Sequence, residues 1–420
     1  MAVLIAGGGI AGLTLGLTLH QIGVPFRIYE KTGRYSPLGV GINLQPNAVR
    51  ELYDLGLKPM LDKVGIRTQE YGFFSKSGRE IWVEQRGKWA GYRWPQYSIH
   101  RGKLQMALLE ALIERAGPEC VVTGHKALGF SNCGSAGELA LECEEGVKSV
   151  VGDLVIGADG IHSAIRAQMY PDEGAPIWNG AILWRGTTMA RPFRTGASMA
   201  LAGHDNQRIV LYPISTPNSE TGLAMINWIA ELRVDPAQAL RKEDWNRPAD
   251  LAEFLPAFEH WQFDWLDVPA LIRGADKVYE YPMVDRDPVD RWTDGHVTLM
   301  GDAAHPTYPV GSNGASQGIV DARVIGAGLL AHGVSPDALH AYEEKIRPLT
   351  RNIQLANRGS GPDKIMQIVE DRCGGVFDSI GDVISNDELS AHAASYKSLA
   401  GFGIDALNAS PPTIDTRLLY

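Results

Sequence analysis

A short apolar run, Ala2 to Ala6, ends in the turn Gly7-Gly8-Gly9-Ile10-Ala11-Gly12 and continues as an apolar stretch from Ala11 to Ile22. Strand, glycine turn and helix in that order restrict the chain to a βαβ opening, with Val24 to Glu30 as the second strand. Gly7 permits the turn, Gly9 lets the backbone approach a pyrophosphate with no Cβ in the way, and Gly12 lets the helix pack on the strand. Ala11 lies within the same turn, and the first N–H groups of the helix are left to face phosphates. Glu30, closing the second strand, is placed to accept from ribose hydroxyls. The pattern predicts a dinucleotide site, with a glycine-rich turn holding no ligand as the alternative, and does not separate FAD from NAD.

Two later stretches narrow the choice. Gly157-Ala158-Asp159-Gly160-Ile161-His162-Ser163 follows the strand pattern Val150 to Ile156. Gly301-Asp302-Ala303-Ala304-His305 follows the buried-strand pattern Val297 to Met300 and leads through Pro309-Val310-Gly311-Ser312-Asn313-Gly314-Ala315 into a long apolar helix from Gly314 to Leu330. Asp302 would then stand at a carboxyl end of the sheet, where ligands bind in open α/β folds, and would hold a ribityl or ribose hydroxyl; an ordinary helix cap is the alternative. Gly311, Asn313, Gly314 and Ala315 open a helix whose first N–H groups can meet the edge of an isoalloxazine ring that gains negative charge on reduction. Three such sites, separated by two long insertions, point to noncovalent FAD with a reaction held over it.

The fold class expected is α/β, with α+β character overall: a Rossmann-like FAD-binding domain, an inserted mainly β substrate domain and a helical C-terminal segment. Arg101 to Arg115 carries Leu104, Leu108, Leu109 and Leu112 at helical spacing. After about Tyr170 the helical pattern gives way to strands such as Ala181 to Thr188, Gln207 to Ile214 and Gly222 to Ile229. The expected division is 1–170 and 286–360 for the FAD-binding domain, 171–285 for the substrate domain and 361–420 for a weakly patterned C-terminal segment. No repeat or low-complexity tract interrupts it.

With 420 residues, 45% of them hydrophobic, the chain can bury a large core. A formal charge of −10 disfavours nucleic acid or anionic lipid as partners. Cys120, Cys133, Cys143 and Cys373 form no CxxC pair, and no apolar run reaches the roughly 18 residues of a membrane span, so a cytoplasmic protein without a metal site is expected, as monomer or homodimer.

Together the turn at Gly7, the string GADGIHSAIR and the string GDAAHPTYPVGSNGASQ resemble the single-component FAD-dependent aromatic hydroxylases, the family of p-hydroxybenzoate hydroxylase, over residues 2–358. LGVGINLQPNAV, PQYSIHRGKLQ, EDWNR and YPMVDRDP are similar to the branch acting on phenazine carboxylates. The resemblance implies that Arg101 contacts the FAD phosphate or ribose region and that Asp159 works near the pyrophosphate and the pyridine nucleotide. It also implies that Asp302 binds the ribityl chain, that Pro309 lies beside the flavin, and that Gly311, Asn313, Gly314 and Ala315 receive its pyrimidine edge. NADH or NADPH would reduce the flavin, O2 would give a C4a-hydroperoxide, and an aromatic or N-heteroaromatic substrate, carboxylated ones included, would be hydroxylated. No nucleophile triad or metal is then needed. A flavin oxidase or dehydrogenase without oxygen insertion, or a redox-sensing flavoprotein, are the competing readings.

A closed apolar pocket must cover such a flavin. Trp184, Arg185, Tyr212, Trp228 and Tyr308 are its candidates, on strands of the insert or beside Pro309. Alternation puts Arg208, Val210 and Tyr212 on one face, so that Tyr212 could bond a ring substituent, while Arg185 could pair with a carboxylate. Taken singly, each reads more readily as a core aromatic or a surface-paired arginine. His100 and His305 are read as backbone anchors.

Overall fold

The computed structural model describes residues 2–37, 39–234, 248–359, 361, 363–399 and 403–415. The string EDWNR lies outside them. Val3–Ala6 is central in a six-stranded sheet ordered Thr293–Asp294, Val297–Leu299, Leu154–Gly157, Val3–Ala6, Phe26–Glu30, Val121–Thr123, parallel except at the first pair. All four residues of Val3–Ala6 are buried, as expected of a parallel strand covered on both faces. The strands that end at the three glycine motifs are therefore immediate neighbours, and their carboxyl ends deliver the motifs to one edge.

Helices Ile10–Gln21 and Gly314–His332 pack together through small residues. A Cβ on Gly318 would lie 3.0 Å from Ala11 Cβ and one on Gly326 2.4 Å from Thr18 Cγ2, so the backbones approach closely. The Ile10–Gln21 helix is apolar all round, with every residue from Gly12 to Leu19 buried.

The strand expected over Val150 to Ile156 is in fact two. Gly146–Gly152 closes a three-stranded antiparallel sheet, and Leu154–Gly157 joins the parallel one. Between them the Asp153 N–H donates to the Ala2 carbonyl at 3.1 Å, and a Cβ on Gly152 would stand 2.5 Å from that oxygen. The chain changes sheets where only glycine fits.

The larger sheet has seven strands in the order Val278–Asp285, Ile177–Ala190, Ala224–Arg233, Gln207–Pro213, Ser198–His204, Glu70–Phe74, Glu80–Gln85. Its last two come from the first third of the chain, joined by the parallel pairing Ser198↔Glu70. One face packs on short helices in a core that holds Trp184, Trp228, Phe254 and Phe258. The other turns toward the parallel sheet. A small antiparallel sheet, Gly41–Leu44, Gln96–His100, Gly65–Thr68, connects the two units, with the Gly41 N–H donating to Asn227 Oδ1 at 2.6 Å. Helix Lys364–Cys373, in the segment of weak pattern, lies on that second face. Among the described residues no helix is long and apolar enough to cross a membrane.

Candidate active site

Gly7, at φ 108°, lies where a Cβ would stand 2.3 Å from the Ala158 carbonyl, so the first two motifs touch backbone to backbone. A Cβ on Gly12 would be 2.0 Å from the Gly7 oxygen. At Gly9 a Cβ would meet nothing within 4 Å, so the start of the Ile10–Gln21 helix faces open space. Glu30 braces this turn, since its Oε2 accepts from the Gly8 N–H at 2.7 Å and its Oε1 from the Thr32 N–H at 2.9 Å. Gln105 Nε2 donates to the Gly8 carbonyl at 2.9 Å, and the buried Tyr35 hydroxyl beside Gly8 has no partner among the described residues. Neither residue carries a spacing signal that would single it out in sequence.

Asp159 Oδ2 accepts from the Ala164 N–H at 2.8 Å, whereas its buried Oδ1 has no partner among the described residues, and burial pushes its carboxyl above the usual range. Asp302 is exposed to solvent yet ringed by protein, as befits a group on the floor of an open cleft; that enclosure raises its pKa, against the pull of His305 and Arg101. It has no hydrogen-bond partner among the described residues. The Arg101 charge acts on Asp302, Arg185 and Tyr281 alike, so the cation stands between the dinucleotide side and the larger sheet. His100 caps its helix, its Nδ1 accepting from the Gly102 N–H at 3.1 Å. His305 bonds Asp321 at 2.6 Å, and Asp321 also accepts from the Gly301 N–H at 2.8 Å.

Pro309 is exposed, and the loop after it is strained: Gly311 has φ 71° and Ser312 φ 53°. A non-glycine residue held there costs about 1–3 kcal/mol and marks sites where geometry is imposed. Gln45 imposes it, its N–H donating to Ser316 Oγ at 2.9 Å and its Nε2 to the Gly311 carbonyl at 3.3 Å. Asn313 is 1% exposed, and neither its amide oxygen nor its amide nitrogen has a partner among the described residues. Ala315 is half-buried behind it, and a Cβ on Gly314 would meet open space.

On the larger sheet, register sorts the expected pocket residues. Arg185 pairs with Ile229, Gly186 with Trp228, and Tyr212 with Asn227. Arg185 and Tyr212 consequently share the face turned toward the cleft. Trp184 and Trp228 are on the other face, Trp184 stacked on Phe254 at 4.8 Å and Trp228 donating to Thr188 Oγ1 at 3.0 Å. These two tryptophans are core, because each falls one position out of phase with Arg185. Tyr308 reaches the cleft side, but its hydroxyl donates to the Ile177 carbonyl at 3.3 Å and its ring packs on Leu183 and Met283. The Arg185 guanidinium lies 5.3 Å from the Tyr281 ring centroid, with no hydrogen bond or ion pair among the described residues and with its Nε buried and unsatisfied. Burial lowers its pKa, and Tyr212 and Tyr281 act in the opposite sense. Tyr281 and Asn227 were not foreseen; strand alternation would have found both had the register been known.

A flavin dinucleotide fits this cleft. Its floor offers an unpartnered carboxylate at Asp302, an unsatisfied oxygen at Asp159 and a doubly unsatisfied amide at Asn313, and Gly9 and Gly314 leave space where a side chain would intrude.

The profile of a family described as FAD binding domain matches residues 1–355. The chain is 42% identical to the phenazine 1,6-dicarboxylic acid hydroxylase PhzS of Lysobacter antibioticus, over 85% of this chain and 89% of that protein. It is 31% identical to the 3-amino-4-hydroxybenzoate 2-monooxygenase PtmB3 of Streptomyces platensis, over 88% of this chain and 91% of the relative. Among solved structures it is similar in fold to Klebsiella pneumoniae HpxO complexed with FAD and uric acid, with TM-score 0.72, 21% identity and coverage of 98% and 97% of the two chains.

Proposed function

Since the chain belongs to the FAD binding domain family that includes the flavin-dependent aromatic hydroxylases, we propose that it hydroxylates a carboxylated N-heteroaromatic ring and that Arg185 binds the carboxylate. The protein is an FAD-dependent aromatic monooxygenase using NAD(P)H and O2. Bound FAD supplies the redox and oxygen chemistry: one oxygen atom enters the ring, the other leaves as water, and the nicotinamide is oxidised. The protein's own residues bind, orient and exclude water.

In this proposal Gly7, Gly9, Ala11 and Gly12 receive the pyrophosphate and Glu30 the ribose. Arg101 and Asp159 flank that end of the cofactor, and Asp302 takes the ribityl hydroxyls. Gly311, Asn313, Gly314 and Ala315 take the pyrimidine edge, where the start of the Gly314–His332 helix favours negative charge, with Pro309 beside the ring. In the same reading 1–170 with 286–360 form the FAD-binding domain, 171–285 the substrate domain and 361–420 a C-terminal segment, while the strands Glu70–Phe74 and Glu80–Gln85 of the first part extend the substrate sheet.

The observation that carries the substrate class is that Arg185 has no hydrogen bond or ion pair among the described residues. An enclosed guanidinium without an anion is costly, and an incoming carboxylate relieves that cost with a charge-assisted, bidentate pair. The names of several relatives support it: a phenazine dicarboxylic acid, an aminohydroxybenzoate and a 6-hydroxynicotinate are their stated substrates. Tyr212, on the same face, is proposed to bond a ring substituent. Replacing Arg185 by Met should raise KM for carboxylated substrates about 10- to 100-fold, the worth of a charged hydrogen bond of about 1.5–3 kcal/mol, while sparing analogues that lack the carboxylate. Equal losses on both kinds of substrate would overturn the assignment.

A further inference from the structure

The sheet face that carries Arg185 and Tyr212 is covered in parts. Over Ile177–Ala190 and Val278–Asp285, Tyr308 and Val310 pack on Leu183 and Met283. Over Gln207–Pro213 and Ser198–His204, helix Lys364–Cys373 lays Ile365 and Met366 in one cluster with Met199, Leu201 and Tyr212. Tyr212 thus belongs both to the pocket and to the footprint of a helix that begins beyond the 1–355 span of the family match.

The amino end of that helix is held on the sheet face that carries Tyr212. Asp363, immediately before it, pairs with Arg208, and Arg208 pairs across the strands with Glu231 at 2.8 Å. A Cβ on Gly361 would lie 2.4 Å from Val310 Cγ1, so the chain enters the helix against the loop that follows Pro309. The carboxyl end is anchored elsewhere, by Lys76 Nζ on Glu370 at 2.5 Å, at the hairpin of Glu70–Phe74 and Glu80–Gln85. Glu231 meets Arg208 from the neighbouring strand, within the sheet. Asp363 is the carboxylate that ties the helix to the same guanidinium.

We propose that Asp363 is a positioning residue for the monooxygenase reaction: by clamping the amino end of helix Lys364–Cys373 onto Arg208, it holds that helix, through Tyr212, as a water-excluding wall of the substrate pocket. This rests on the reading that the aromatic substrate occupies the Arg185 face. A loosened wall admits water, and reducing equivalents from NAD(P)H then leave as hydrogen peroxide, formed from O2 and two protons, without an oxygen atom entering the ring.

The test uses the full-length, FAD-loaded protein with a substrate it turns over, measuring NAD(P)H consumed, hydroxylated product and peroxide. Asp363→Asn, in which Arg208 keeps Glu231, should raise the peroxide share several-fold with FAD content intact, and Asp363→Glu should restore coupling. Met366→Ala, which opens the same wall without touching a charge, should uncouple likewise. Lys76→Gln frees the far end of the helix and should lower thermal stability with coupling unchanged. Wild-type coupling in both Asp363→Asn and Met366→Ala, or equal uncoupling in Lys76→Gln, would overturn the proposal. Failure of the underlying substrate assignment shows separately, as an unchanged KM for carboxylated substrates in Arg185→Met.

Discussion

Asp302 and His305 are three positions apart and do opposite work, because only one of them has a partner. The Asp302 carboxylate is raised by its enclosure and has no hydrogen-bond partner among the described residues, so a hydroxyl-bearing ligand supplies what the chain withholds. Asp302→Ala should weaken FAD retention about 10- to 100-fold, the value of a hydrogen bond to a charged acceptor at about 1.5–3 kcal/mol; full FAD occupancy at limiting FAD would contradict that. For His305, burial disfavours the imidazolium, but Asp321 at 2.6 Å outweighs it and raises the pKa above the usual 6.5. A raised folded value means that the pair's stabilisation is complete below the unfolded pKa and is lost as pH climbs through the folded one. The melting temperature should therefore decline as pH rises above about 6.5 through the folded value, and His305→Gln should flatten that decline. An equally steep decline in His305→Gln would remove His305 as its source.

At the level of elements, the glycine turn separates fold from ligand. Gly12→Ala places a Cβ 2.0 Å from the Gly7 oxygen and should cost both stability and FAD, whereas Gly9→Ala meets nothing within 4 Å in the chain itself. Gly9→Ala should change apo-protein stability by about 1 kcal/mol or less, a cap effect, yet lower FAD occupancy; unaltered FAD affinity would show that the pyrophosphate lies elsewhere. The helices of this unit and the strands at its three motifs were legible because periodicity and glycine placement are local. The break at Asp153 was not, since what forces it is the distant Ala2 carbonyl. Nor was the facing of Trp184 and Trp228: an alternating strand fixes which residues share a face, but which face meets the ligand depends on what packs behind, here Phe254.

For the molecule as a whole, two unit-to-unit relations escaped a one-dimensional view. Glu70–Phe74 joins the larger sheet by pairing with Ser198–His204, a parallel contact with no turn signal to announce it, and helix Lys364–Cys373 shows its apolar face only when set against that sheet. Both bring distant chain onto the larger sheet. Because the cleft is walled by both units, added FAD should stabilise the protein as one body, by about 2.7 kcal/mol at free FAD a hundred times Kd; a melting curve indifferent to FAD would contradict the cleft assignment. The central claim, oxygen insertion into an aromatic ring by this FAD-loaded chain, is met most directly by one measurement. Incubated with NAD(P)H, a heteroaromatic carboxylic acid and 18O2, the protein should give a hydroxylated product carrying one heavy oxygen; oxidised product without label, or peroxide alone across the substrate panel, would contradict the account.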